Sequence, residues 1–133
     1  MTITGQEGTL LAKNATQAID NAADVTFSSA TTDDDTLFSV GSPTIITVGS
    51  SAWHAIVANI RFSAGVGSAR VQLRVNGAVI EVPMVVVLSP TEETSCSLSA
   101  RRSLSATDTV SVLVTPLTGS PVVAAGSTLA VTY

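Results

Sequence analysis

The clearest periodicity in the chain lies between Trp53 and Val82. In WHAIVANIRFS (residues 53–63), Ile56, Ala58, Ile60 and Phe62 recur at every second position, with Ala55, Val57, Asn59 and Arg61 between them. A strand sends successive side chains to opposite faces. This spacing therefore predicts one long strand with 56, 58, 60 and 62 turned toward a core. AGVGS (residues 64–68) reads as a connection. RVQLRVNGAVIEV (residues 70–82) then alternates again around an Asn-Gly pair. Asn-Gly suits a type I′ turn, whose two central residues need positive φ. A two-residue loop pairs Val75 with Ala78, Leu73 with Ile80 and Val71 with Val82. All three pairs are apolar, so turn chemistry and hydrophobic pattern predict the same register. The opposite face of the first strand carries Arg70, Gln72 and Arg74; Arg70 and Arg74 are a candidate polar interface, open to solvent or paired with Glu81 beside them or with acids of a neighbouring subunit.

After Pro83 the run MVVVL loses its alternation. Continuous apolar character predicts a strand covered on both faces, and a neighbouring subunit is the simplest second cover. Upstream, DVTFSS, TLFSV and TIITV are separated by the turn clusters TTDDD and GSP. Downstream, TSCSLSARRSLSATDTVSVLVTP predicts two strands around an RRS turn, with Val110, Val112 and Val114 on one face of the second. GSPVVAAGSTLAVTY predicts a short strand and a last strand ending at Tyr133. Residues 24–133 contain no amphipathic helical pattern. About eight to ten short strands imply an all-β, antiparallel β-sandwich of Greek-key or jelly-roll type. The first 23 residues differ in texture. TLLAKNATQAIDNAAD is rich in Ala, Asn and Gln, and Leu10, Leu11 and Ile19 are its only large apolar residues. Residues 1–23 are read as an attachment arm anchored by those three, preceding a sandwich domain over 24–133.

Composition narrows the core and the partners. Aromatic residues are 4% of the chain, so the core must be built from Val, Ile, Leu and Ala. The 18 Val and the 35 Ser plus Thr favour strands, because branching at Cβ suits a pleated surface and hydroxyls suit its wet side. Six Lys and Arg against ten Asp and Glu give a net charge of −4. Six cations build no broad basic surface, so nucleic acid is not an expected partner. No run approaches the roughly 20 apolar residues of a membrane helix, so no membrane contact is expected. MTITGQEGTL lacks the basic start and apolar run of a signal peptide, which predicts synthesis and folding in a cytoplasm. Cys96 is the only cysteine; flanked by Ser95 and Ser97 in a strand, it reads as a buried, inert thiol.

Candidate chemistry is thin. His54 is the only histidine, and a working histidine needs a nucleophile and an orienting carboxylate. It reads as structural or interfacial. Asp33-Asp34-Asp35 is the densest charge run, and calcium binds clustered carboxylates. Three consecutive Asp project in different directions, however, so a solvated loop is expected. Asn14-Ala15-Thr16 matches a glycosylation acceptor that the missing signal peptide makes incidental. Arg101-Arg102 reads as a turn in preference to an anion site. A polysaccharide hydrolase needs paired carboxylates in a cleft, and Glu92-Glu93 on a loop are slender support. No catalytic residue, cofactor or metal is expected, and the chain is not read as an enzyme.

The order of these pieces resembles the C1q/TNF-like jelly-roll family over about residues 24–133. The family's long strand after a polar lead-in has its counterpart in TIITVGSSAWHAIVANIRFS. Its strand ending in an Asn-Gly turn has VQLRVNGAVI. Its "L-x-a-G-D-x-V" segment is matched in spacing by SLSATDTVSVLVTP, with Asp108 and Val110 in place and Thr107 where Gly is usual. The closing strand of the inner sheet is matched by STLAVTY. Aromatic positions of the family are mostly Ala and Val here, with His54-Ala55-Ile56 where Tyr and Phe are common. The resemblance implies a homotrimer with inner sheets around a three-fold axis, and Val85, Val87, Leu129, Val131 and Tyr133 as its interface. A low-Lys, Ser/Thr/Val-rich domain with a short arm also resembles bacteriophage virion proteins. That implies a capsid decoration or head-fibre protein whose arm grips the major capsid protein at the virion surface. The competing expectation is a tail-fibre or adhesin-like module binding a host glycan or protein, for which Trp53 and Tyr133 are the only Trp and Tyr.

Overall fold

A computed structural model describes residues 8–33, 43–49, 51–80 and 83–132. Its strands, in chain order, are β1 (Gly8–Ala12), β2 (Gln17–Ala18), β3 (Ala23–Asp24), β4 (Ser29–Asp33), β5 (Ile46–Thr47), β6 (Ala52–Phe62), β7 (Gly67–Val75), β8 (Ala78–Val79), β9 (Met84–Val87), β10 (Thr94–Leu104), β11 (Thr109–Gly119), β12 (Val122–Val123) and β13 (Thr128–Thr132). All pairings are antiparallel, and they form two sheets. The first runs β10-β6-β13-β1-β4, with β12 and β2 continuing beside one end of β6. The second runs β3-β11-β7-β8, with β5 on β11 and β9 on β7. No described residue lies in a helix long and apolar enough to cross a membrane.

The predicted alternation of β6 fixes its orientation. Ile56, Ala58, Ile60 and Phe62 are fully buried, and the residues between them are exposed. They meet Val71 and Leu73 of β7 and Val110, Val112 and Val114 of β11, which face inward from the other sheet. The Asn-Gly hairpin closes as expected next to the turn, with Val75 opposite Ala78 and Arg74 opposite Val79; farther along, Val71 stands opposite Met84 and not Val82, so the expected register does not run the length of the hairpin. Asn76 (φ 52°) and Gly77 (φ 80°) hold the two positive-φ positions of the turn. At the far end of β7, Gly67 and Gly119 face each other. A Cβ on Gly67 would lie 2.2 Å from the Thr118 carbonyl oxygen, so the strands could not approach there with any side chain.

Two expectations are corrected. The RRS segment is no turn: β10 continues through Arg101 and Arg102 to Leu104, paired residue for residue with β6. Cys96, Leu98, Ala100 and Leu104 give one face of β10 an apolar series; Arg102 shares that face, opposite the buried His54, and Arg101 lies on the exposed face. The chain reverses instead at residues 105–108, where Thr107 adopts φ 77°.

Residues 8–23 are no free arm either. β1 lies inside the first sheet, between β13 and β4, with Leu11 opposite Leu129 and Ala30. Leu11 and Ile19 are 0% exposed and belong to the core, so neither is available to grip a partner. The polar residues of this stretch stitch it to the sandwich. The buried Lys13 ammonium donates to the Thr26 carbonyl (2.9 Å), Thr26 Oγ1 (3.1 Å) and Gln17 Oε1 (3.3 Å). Gln17 donates to the Asp24 carbonyl and accepts from the Thr26 N–H, both at 2.9 Å. Its acceptors are neutral oxygens, and burial pushes the Lys13 pKa below its ordinary value.

Candidate interaction surface

The outer face of the first sheet follows from strand register. Inward residues 54, 56, 58, 60 and 62 of β6 leave Trp53, Ala55, Val57, Asn59 and Arg61 facing out. Across β10 they stand opposite Ser103, Arg101, Ser99, Ser97 and Ser95. Across β13, Ala55, Val57 and Asn59 stand opposite Thr132, Ala130 and Thr128. Leu10, opposite Ala130 on β1, extends the row from Ser99 through Val57 and Ala130. The face is therefore broad, nearly uncharged at its centre and built of short side chains. Val57 is 39% exposed and Trp53 61% exposed. Asn59 Oδ1 accepts a hydrogen bond from Ser97 Oγ across the β6–β10 pair.

This register corrects part of the expected interface. Leu129 and Val131 point into the subunit's own core, 0% and 2% exposed, so they cannot line a contact between subunits. The outward residues of that strand are Thr128, Ala130 and Thr132. Leu10, expected to anchor an arm, is instead on the outer face. Tyr133 lies outside the described residues.

The second feature is the edge formed by β9 and β10. In MVVVL the alternation hidden by the sequence returns: Val86 and Leu88 are buried, while Val85 (55%) and Val87 (74%) are exposed. One face is thus covered by the subunit's own core, and the outer face is open in the single subunit. Val85 stands opposite Arg70 and Val87 opposite Ser68, on the outer side of the second sheet. Among the described residues, β10 pairs only with β6, so the other edge of this 11-residue strand presents unpaired backbone groups.

The remaining candidates are placed as follows. Arg74 forms an ion pair with Asp24 of β3 and is only partly exposed, so its charge is engaged within the subunit. Arg70 sits between Val85 and Thr115 on the same outer face. The expected neighbour Glu81 is outside the described residues. His54 is 1% exposed, its Nδ1 2.9 Å from the Ala52 carbonyl oxygen, which removes it from reach of a substrate. Burial pushes the Cys96 thiol up to about 11, as an inert thiol requires. Glu93 pairs with Arg61 at 2.5 Å instead of with Glu92 across a cleft. Of the triple Asp, only Asp33 is described, as the end of β4. No cluster of three or more metal-ligating side chains occurs among the described residues.

The fold has close counterparts among solved structures. The globular domain of zebrafish complement 1qA superposes with a TM-score of 0.72 over 96% of this chain and 95% of that one, at 16% identity. Murine APRIL superposes with a TM-score of 0.71 over 96% of this chain and 98% of that one, at 10% identity. No protein-family model and no curated protein sequence matches the chain. The fold is a C1q/TNF-like jelly roll, an antiparallel β-sandwich as expected from the strand pattern.

Proposed function

We propose that this jelly roll is a non-enzymatic structural protein that assembles as a closed homotrimer and decorates a virion capsid. The observation that carries the assembly is the coexistence, on one subunit, of two unpartnered features. One is the small-residue outer face around Val57, Ala130 and Leu10; the other is the exposed edge carrying Val85 and Val87. Packing the edge of one copy onto the face of the next is a heterologous contact, which forms a ring when its rotation closes. Ser, Thr, Ala and Val suit such a contact because they lose little side-chain entropy when ordered. The homotrimer implied by the family resemblance is the smallest such ring beyond a pair. Light scattering at micromolar concentration is expected to give three times 13.5 kDa; a monomer would overturn the assembly.

Capsid attachment falls to residues 1–7, because Leu11 and Ile19 are committed to the core. Three such segments per ring bind a shell together far more tightly than one. The trimer lacking residues 1–7 is expected to remain folded and to fail to coat capsids, and coating at wild-type density would refute the role of the segment.

The exposure of Trp53 favours a second reading, a tail-fibre or adhesin-like module that stacks this ring on a host sugar. Glycan binding abolished by Trp53→Ala, with assembly intact, would support it over decoration.

A further inference from the structure

The Asn-Gly turn that sets the register beside it, between β7 and β8, also places an open main-chain nitrogen next to a side-chain carboxamide. Asn76 is exposed, and a Cβ built on Gly77 would meet nothing within 4 Å. A glycine leaves the following main-chain nitrogen unhindered, so that nitrogen can attack the Asn76 carboxamide carbon, Cγ. The new N–Cγ bond closes a five-membered succinimide as the Cγ–Nδ2 bond breaks and ammonia leaves. Water then opens the ring at either carbonyl, giving aspartate or isoaspartate. One water enters, one ammonia departs, and nothing is oxidised or reduced. The turn demands Gly for its positive φ, so the residue that makes the hairpin also makes the reaction available.

The structure also supplies a restraint. Asn76 Nδ2 donates to Asp108 Oδ1 at 2.9 Å. Asn76 Oδ1 accepts from the Thr109 N–H at 2.9 Å, and the Asn76 N–H donates to the Thr109 carbonyl at 2.8 Å. Asp108 is itself fixed by the Ser105 N–H, which donates to Oδ2 at 2.9 Å. These bonds tie the β7–β8 turn to the reversal between β10 and β11. For Cγ to swing over the Gly77 nitrogen, the carboxamide must leave Asp108 and Thr109, so the reaction waits on local opening of this contact. After conversion, the Nδ2 donor is gone, and a carboxylate faces Asp108 where a hydrogen bond had been. Like charges at that separation repel, and the tie becomes a wedge.

We propose that Asn76 is a deamidation site, that Asp108 is the positioning residue that slows its conversion, and that conversion unlatches the β7–β8 turn from residues 105–109. The test follows the intact protein in warm, mildly alkaline buffer, with peptide mapping by mass spectrometry that separates Asn, Asp and isoaspartate at position 76. Native protein is expected to convert several-fold more slowly than the same chain in guanidinium chloride. Asp108→Ala is expected to convert faster than wild type, and Asp108→Asn, which keeps an acceptor oxygen, in between. Asn14, Asn21 and Asn59, none followed by Gly, serve as internal controls and are expected to stay unconverted in all variants. Asn76→Asp is expected to unfold at lower denaturant than wild type at neutral pH. Equal conversion in native and denatured chain, or in wild type and Asp108→Ala, would overturn the restraint. An Asn76→Asp variant as stable as wild type would overturn the unlatching. If Asp108→Ala fails to fold, the comparison of native with denatured wild type and the comparison of wild type with Asp108→Asn still test the restraint.

Discussion

Replacing Leu11 with alanine separates the two roles open to the start of the chain. If Leu11 gripped a partner, the substitution would cost binding and leave folding untouched. In the structure Leu11 is fully buried, flanked by Leu129 on β13 and Ala30 on β4 in the middle of a sheet. Truncating a buried Leu to Ala removes transfer free energy and leaves a cavity, at a cost of about 2–5 kcal/mol. β1 is hydrogen-bonded on both sides, so it cannot slide inward to fill that cavity, and we expect about 3 kcal/mol or more. Against a total of about 5–15 kcal/mol for a domain, that is a large share. With a urea slope of about 1–3 kcal/mol per molar, the unfolding midpoint should fall by at least about 1 M. Far-UV circular dichroism at one fixed subunit concentration measures it, since association adds a concentration-dependent contribution. Leu10→Ala, one residue away but on the outer face, is the control. It should shift the folding of the subunit by no more than about 0.5 kcal/mol and act on assembly instead. A Leu11→Ala protein that unfolds at the wild-type midpoint yet fails to coat capsids would refute the placement of β1 in the sandwich.

Removing residues 1–7 should leave a folded protein, whereas removing residues 1–22 takes away β1 and β2 and should yield an unfolded one by circular dichroism. Val57→Asp places a charge at the centre of the small-residue face and should convert the proposed trimer to a folded monomer in light scattering. Thr107→Gly should raise the urea midpoint. A β-branched residue at φ 77° carries a cost of about 1–2 kcal/mol, and the extra unfolded-state entropy of glycine, about 0.5–1 kcal/mol, returns only part of it. The Asp108 carboxyl is held below its ordinary 3.8 by the Asn76 amide first and by the Ser105 N–H second. Its stabilising contribution is therefore present above about pH 4 and fades as pH falls through the lower folded-state value. Asp108→Asn should flatten that part of the acid-unfolding curve. Cys96, with its thiol raised to about 11, should react with a maleimide far more slowly in the native protein than in denaturant at neutral pH.

The strands legible from sequence were those whose alternation and turn chemistry agreed. The alternation of β6 gives its inward set, and the Asn-Gly pair adds turn chemistry that gives the register beside the turn, though not as far as Val71, which pairs with Met84. MVVVL misled because five consecutive apolar residues hide a period of two; the fold restores it by burying Val86 and Leu88 and exposing Val85 and Val87. Arg101-Arg102 resembled a turn because charge outweighed the weaker inward series of Cys96, Leu98, Ala100 and Leu104. The start of the chain was misread for a different reason. Its Gln17 and Lys13 serve as internal hydrogen-bond partners, and polar residues used that way cannot be told from solvated ones before the fold is known. The same limit applied to the last strand. Its apolar residues were visible, but which sheet face met a neighbour depended on pairing with β6 and β1.

In the first sheet, β1 is bracketed by β13, so Gly8 meets Thr132. A ribosome delivers β1 long before β13. Until β13 leaves the exit tunnel, β1 has β4 on one side and no neighbour on the other, and β6 lacks one of its two flanking strands. The nascent sandwich must wait with its first sheet split down the middle, a window in which sister chains emerging from the same messenger could pair with one another's vacant edges.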